Sequence, residues 1–160
     1  MIKFIKKNPA IPQRWIVLTA LACSLTTTQA QTLQAEKAFI KENMEFATKQ
    51  YSLMMQTPAQ GKNGKAIMPH SMRKDGTPSK GSIYLWTAGF FPGTLWYLSN
   101  YTGDKALQDS ALVYTHQMEP AKTFTDNHDI GFMMYCSYGN ANRFAPKDEY
   151  EDILVESARS

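Results

Sequence analysis

One acidic side chain stands in an unusual setting. Asp129, preceded by His128, opens onto Ile130, Phe132, Met133, Met134, Tyr135, Cys136 and Tyr138, a run rich in apolar, aromatic and sulfur-bearing side chains. Apolar surroundings disfavour the ionised carboxylate, whereas the positive end of a helix dipole favours it. A carboxyl group under two opposed pressures is a candidate for proton chemistry. A plainer alternative stays open. An acid in the first turn of a helix also serves simply to stabilise the dipole, and a histidine beside it serves as a hydrogen-bonded structural residue.

A second set of side chains suits carbohydrate. Trp86, Phe90, Phe91, Trp96, Tyr97 and Tyr101 fall within residues 83–101. Aromatic faces stack on the axial C–H groups of sugar rings, and the competing reading is plain core packing. Trp96 and Leu98 are expected in the core, whereas Trp86, ahead of the helix, is the better exposed platform.

These residues need elements to hold them. The apolar run predicts a helix over 128–143 buried on nearly every face, with Asp126 or Asn127 capping its start. Pro92 suits a helical first turn, Leu95, Trp96, Leu98 and Tyr101 continue at helical spacing, and Thr102-Gly103-Asp104 stops that helix. Asp104 starts the next, Lys105 to about Met118, with Ala106, Leu107, Ala111, Leu112, Tyr114 and Met118 as its inner stripe and Glu119-Pro120 closing it. A last helix begins near Pro146 and runs through Tyr150, Ile153, Leu154 and Ala158, with no cap before Ser160. Upstream, Ala35, Phe39, Ile40, Met44, Ala47, Tyr51 and Met54 mark an amphipathic helix over 32–55. Residues 56–82 read as a long irregular segment with a turn at Asp75-Gly76. Lys62, Lys65, His70, Arg73, Lys74 and Lys80 make it basic, which suits an anionic substrate or simply a solvated loop. Strand signal is confined to residues 82–85.

The first thirty residues read as an export signal rather than as fold. Lys3, Lys6, Lys7 and Arg14 precede the apolar run Trp15 to Leu25, and Thr28-Gln29-Ala30 offers small residues for cleavage after Ala30. The run is short for a membrane anchor. Lipoprotein processing at Cys23 fits less well, because Ala20-Leu21-Ala22 places a bulky residue where a small one is needed. The exported protein would be periplasmic or extracellular. The chain carries 17 basic and 14 acidic residues. Loss of the four leader cations makes the mature chain nearly neutral, so charge gives no reason to expect nucleic acid or membrane as a partner beyond the export signal. Cys136 is then the one mature cysteine, and stability must come from a core rather than a disulfide.

Five helices after the leader predict an all-α fold of two layers. They cover the central apolar helix poorly, so residues 31–160 read as the amino-terminal part of a larger helical toroid, truncated at Ser160.

The run Trp86-Thr-Ala-Gly-Phe-Phe-Pro-Gly-Thr-Leu-Trp-Tyr-Leu98, then Thr102-Gly-Asp104, then His128-Asp-Ile-Gly-Phe-Met-Met-Tyr-Cys-Ser-Tyr-Gly-Asn140 resembles glycoside hydrolase family 88, the unsaturated glucuronyl hydrolases. The resemblance extends from about Leu33 to Ser160. It implies an (α/α)6 barrel of six helical hairpins. It also implies removal of a 4,5-unsaturated uronic acid from lyase-generated oligosaccharides, glycosaminoglycan fragments among them. The family hydrates the C4=C5 vinyl ether and needs no metal or organic cofactor. Asp129 matches the first of two family aspartates. Trp86 and Phe90 match aromatic positions of the sugar subsite, and His128, in the same motif as Asp129, is grouped with them in substrate binding. The second aspartate, the general acid/base, belongs to an Asp-x-Met-Met-Asn type motif that does not occur before Ser160 and is expected beyond it. Leu85, Ala88 and His70 depart from the usual acid, Ser and Arg, which leaves linkage and sulfation open. A non-catalytic carbohydrate-binding toroid is the alternative outside enzymes. Unsaturated rhamnogalacturonyl hydrolases are the rival within them, and His-Asp-Ile-Gly-Phe argues against these.

Overall fold

The computed structural model describes residues 13–56, 65 and 67–160, with side-chain surroundings from residue 32 onward. Lys3, Lys6 and Lys7 of the expected leader, and Lys62 of the basic segment, lie outside the described residues. By its contacts the chain divides into two units, Met1–Asn43 and Met44–Ser160.

Helix α1 (Gln13–Met55) is 43 residues long and crosses that division. In the first unit, Ala35, Phe39 and Ile40 are exposed, against the expectation of a core stripe. In the second, Met44, Ala47, Tyr51 and Met54 do pack on the core, and Tyr51 stacks on Phe91 at 5.2 Å. Amphipathic spacing thus persists along a stretch where only its later part meets apolar neighbours.

Within the second unit a hairpin stands where an irregular segment was expected. Strands β1 (Ile67–Met72) and β2 (Pro78–Ser82) pair antiparallel, with Ile67 opposite Ser82 and Met72 opposite Pro78. The turn is the one the Asp75-Gly76 pair announces. Asp75 Oδ1 accepts from the Thr77 amide at 2.9 Å, and Gly76 takes φ +80°, a region glycine enters without steric cost. Register slips by one residue between Pro69 and Ser71, so His70 is the extra residue of a bulge. Of residues 82–85, expected to be extended, Ser82 ends β2 and the rest enter a succession of turns that continues to Gly89.

Helix α2 (Phe90–Thr102) follows and ends at Gly103, whose left-handed φ of +71° lets its amide reach the Ser99 carbonyl. Asp104 then caps α3 (Lys105–Gln117) by accepting from the Ala106 amide at 2.8 Å. These two helices form a hairpin around Leu95, Trp96, Leu98, Leu107, Ala111 and Tyr114, all buried as the spacing required, while Ala106 of the expected stripe is exposed. Trp96 is fully buried, and its Nε1–H donates to Thr115 Oγ1 at 2.9 Å, so the largest core side chain leaves no orphan donor. Each fully buried large apolar side chain here contributes about 2 kcal/mol relative to exposure.

A 3-10 turn (Glu119–Thr123) leads towards the apolar run. The run is helical, but in three pieces: α4 (Ile130–Met134), a π turn (Tyr135–Gly139) and α5 (Asn140–Phe144). Met133, Met134, Ser137, Tyr138 and Ala141 are buried, whereas Phe132 and Tyr135 are 51% and 67% exposed. The expectation of burial on every face is corrected accordingly: these helices cover one side of the rod. Helix α6 (Asp148–Ser157) begins with three acids in its first turn and buries Tyr150. It closes at Ser157 rather than running on to Ser160, whose hydroxyl donates to the Lys122 carbonyl at 2.8 Å.

Candidate active site

Asp129 occupies the position just before α4. Neither expected residue caps the helix: Asp129 itself stands at the cap position, with no side-chain cap hydrogen bond, while the Asn127 side-chain oxygen accepts from the Asp129 amide at 2.9 Å and closes a local turn just ahead of it. The Asp129 carbonyl in turn accepts from the Phe132 and Met133 amides at 2.9 and 3.3 Å. Its carboxylate remains one-quarter exposed, with Oδ1 3.6 Å from His128 Nε2. The His128 side chain is 94% exposed. A protonated His128 in that position is screened by water and adds little to the pair. It stands as an outer neighbour of the carboxylate, free to meet a ligand.

Trp86 lies in the turns between β2 and α2, and Phe90 begins α2. They meet each other and Phe132 in a closed triangle. Ring centroids are 5.8 Å apart for Trp86–Phe90, 6.3 Å for Trp86–Phe132 and 6.2 Å for Phe90–Phe132, all edge to face. Trp86 is 49% exposed, matching the expected open platform, and Phe90 is 38% exposed. Phe132 is three residues past Asp129, on the same side of the helical turn. The aromatic patch and the carboxylate are therefore joined through one turn of backbone. Phe132 was visible in the sequence as part of the apolar run. Nothing in helical periodicity, however, distinguishes an open ring from the buried Met133 beside it.

Two close approaches lock this wall. A Cβ on Gly89 would fall on the Met133 carbonyl oxygen, and one on Gly93 would stand 2.5 Å from that of Cys136. The missing side chains let the start of α2 lie directly on the backbone of α4 and the π turn. In the π turn, Asn140 Nδ2 donates to the Cys136 carbonyl at 2.8 Å and Ser137 Oγ to that of Met133 at 2.7 Å. Side chains thus engage carbonyls that a wider turn hydrogen-bonds less regularly. Cys136 is half-buried, and burial pushes its thiol pKa up, which favours the inert protonated form. On the other side of Trp86, the bulged His70 brings Nδ1 to 3.1 Å from Thr87 Oγ1, tying the hairpin to the turn that carries the indole.

Hollows lined by described residues lie elsewhere. One is framed by Trp96, Asn100, Asp104 and Phe144, and another by His116, Tyr138, Tyr150 and Asp152. A third, almost wholly apolar, lies between α4 and α6. Asp129 and Trp86 line none of these three. Among the described residues no three His, Cys, Asp or Glu side chains gather as a metal site, and no helix is long and apolar enough to cross a membrane.

No family model matches the chain. A curated unsaturated glucuronyl hydrolase from Formosa agariphila is 41% identical over 76 residues, covering 47% of this chain and 19% of the relative. The crystal structure of an unsaturated glucuronyl hydrolase specific for heparin superposes with a TM-score of 0.64 at 38% identity, over 74% of this chain and 31% of that one. A Streptococcus agalactiae unsaturated glucuronyl hydrolase mutant, solved in complex with dGlcA-GalNAc6S, gives a TM-score of 0.57 at 21% identity, over 75% and 31%. At that identity the likeness shows fold alone. The chain thus spans about a fifth of the curated relative and about a third of the solved ones. Its helices are part of an (α/α)6 barrel. Over the stretch it spans, the chain is similar in sequence and in fold to the unsaturated glucuronyl hydrolases.

Proposed function

We propose that this chain is part of an unsaturated glucuronyl hydrolase that removes a 4,5-unsaturated uronic acid from the non-reducing end of lyase-generated oligosaccharides, glycosaminoglycan fragments in particular. The observation that carries the reading is the joining of Asp129, through a single helical turn, to the open triangle of Trp86, Phe90 and Phe132. An apolar wall of this kind suits the flat face of an unsaturated sugar, and a carboxylate one helical turn away along the chain suits the charge its hydration develops.

The steps balance with one water consumed. A proton adds to C4, leaving positive charge shared by C5 and the ring oxygen. Water adds at C5 and gives up a proton, forming a hemiketal. Ring opening then leaves a hemiacetal at C1, which expels the rest of the oligosaccharide as an alcohol. Asp129 is assigned to stabilising the developing charge, in the manner of preorganised electrostatic catalysis. Trp86, Phe90 and the outward His128 are assigned to substrate binding. The proton donor is assigned to a second carboxyl group in the longer chain of which this segment is a part.

The test uses the full reading frame. Wild type bleaches the ultraviolet absorbance of the conjugated uronate, and Asp129→Asn slows that loss by roughly 10²–10³-fold. Wild-type rates in the Asn variant would remove Asp129 from the site. Saccharide binding without any absorbance loss in wild type would favour a non-catalytic binding toroid instead.

Residues 1–30 are read as an export signal, which puts the protein in the periplasm or outside the cell. Terminal sequencing of the secreted protein is expected to begin at Gln31. A first residue upstream of Trp15 would overturn this.

A further inference from the structure

Singly exposed apolar side chains are ordinary, but three in mutual contact make a patch that calls for an occupant. Phe132 completes that patch. It is half exposed on a short helix whose Met133 and Met134 are fully buried. Its own contacts are with Trp86 and Phe90, at 68° and 69° between ring planes. Trp86 belongs to a run of turns and has no helix of its own to hold it. The indole is braced by rings on two sides, Phe90 at 86° and Phe132 at 68°. Edge-to-face contacts of this kind favour one mutual orientation over others. The Phe132 amide, meanwhile, is bonded to the Asp129 carbonyl. Of the three rings, Phe132 is the one whose position is fixed relative to the carboxylate by local backbone geometry.

We infer that Phe132 is a substrate-positioning residue of the reaction proposed above, on which this inference rests. By bracing Trp86 and Phe90, it holds their rings in the one arrangement on which the unsaturated uronate is bound. Its ring takes no part in proton transfer. Loss of the ring therefore weakens binding of the sugar more than it slows the bound sugar's hydration.

The experiment uses the full-length enzyme, an unsaturated disaccharide and initial rates of absorbance loss. Phe132→Leu keeps the apolar bulk and removes the ring edge. Its KM is expected to rise about tenfold, with kcat within about twofold of wild type. Phe132→Tyr restores the ring and is expected to recover most of the lost affinity. If the Leu variant misfolds, Phe132→Met takes its place with the same expected rise. A Leu or Met variant with wild-type KM, one that loses kcat at unchanged KM, or a Tyr variant as impaired as Leu overturns the role of Phe132. Wild type without absorbance loss overturns the functional reading itself. The two failures are thus told apart by whether wild type turns over.

Discussion

Gly89 and Gly93 matter at this site for the space they leave rather than for their backbone angles. Gly89 has φ of −68° and ψ of −18°, which any residue adopts. What excludes a side chain is the facing backbone: the Met133 and Phe132 carbonyls oppose Gly89, and the Cys136 carbonyl opposes Gly93. A carbonyl within a helix cannot swing aside as a flexible side chain can, so an added methyl pushes α2 and α4 apart. Gly89→Ala and Gly93→Ala are each expected to cost about 1–3 kcal/mol in denaturant unfolding, the usual range for overpacking. Gly131→Ala is the control. It is itself exposed on α4, with nothing within 4 Å of its would-be Cβ, so the better helix propensity of alanine leaves stability unchanged or raised by up to about 1 kcal/mol. Equal losses in all three variants would show that the close approach is not what these positions require.

The elements that carry the site differ in how much of them the sequence reveals, and the reason is the range of the interactions that form them. Local chemistry was readable. Asp104 accepting from Ala106, Gly103 in the left-handed region and the Asp75-Gly76 turn all rest on groups within a few residues of each other. So did the burial of Trp96 and the openness of Trp86, one inside a helical stripe and the other ahead of it. The hairpin was not readable. Pro69 in β1 and Pro78 at the head of β2 argue against strands, and their tolerance depends on pairing between segments ten or so residues apart. The π turn was equally hidden. It depends on Gly93 lying on the Cys136 carbonyl and on Asn140 reaching back to the same oxygen, a long-range and a local contact acting together. Asp129 and Phe132 sit just ahead of that turn. Its extra residue therefore decides which way they face relative to α5. Nothing in the spacing of Ile130–Tyr138 could have placed Phe132 beside Trp86.

At the scale of the whole molecule, the apolar surface left open in the second unit has a consequence in solution. Tyr135 is 67% and Val155 43% exposed, and between them lies a hollow lined also by Ile130, Met134 and Leu154. Soluble monomers seldom leave a contiguous apolar patch of this kind to water, because each exposed Å² forgoes roughly 25 cal/mol of burial. The 160-residue polypeptide prepared by itself is therefore expected to bind a hydrophobic dye with strong fluorescence and to self-associate as concentration rises. Val155→Glu places a charge on the rim of the hollow and is expected to lower both signals while leaving far-UV circular dichroism unchanged. A protein of the relatives' full length carrying this segment should show little dye binding, since further helices of an (α/α)6 barrel would lie against α4 and α6. If the 160-residue chain stays monomeric and dark, its α4 and α6 are closed over Ile130 and Leu154 more tightly than the exposures of Tyr135 and Val155 allow. If full-length protein instead binds dye as strongly as the segment, the apolar hollow is not where the rest of the barrel packs.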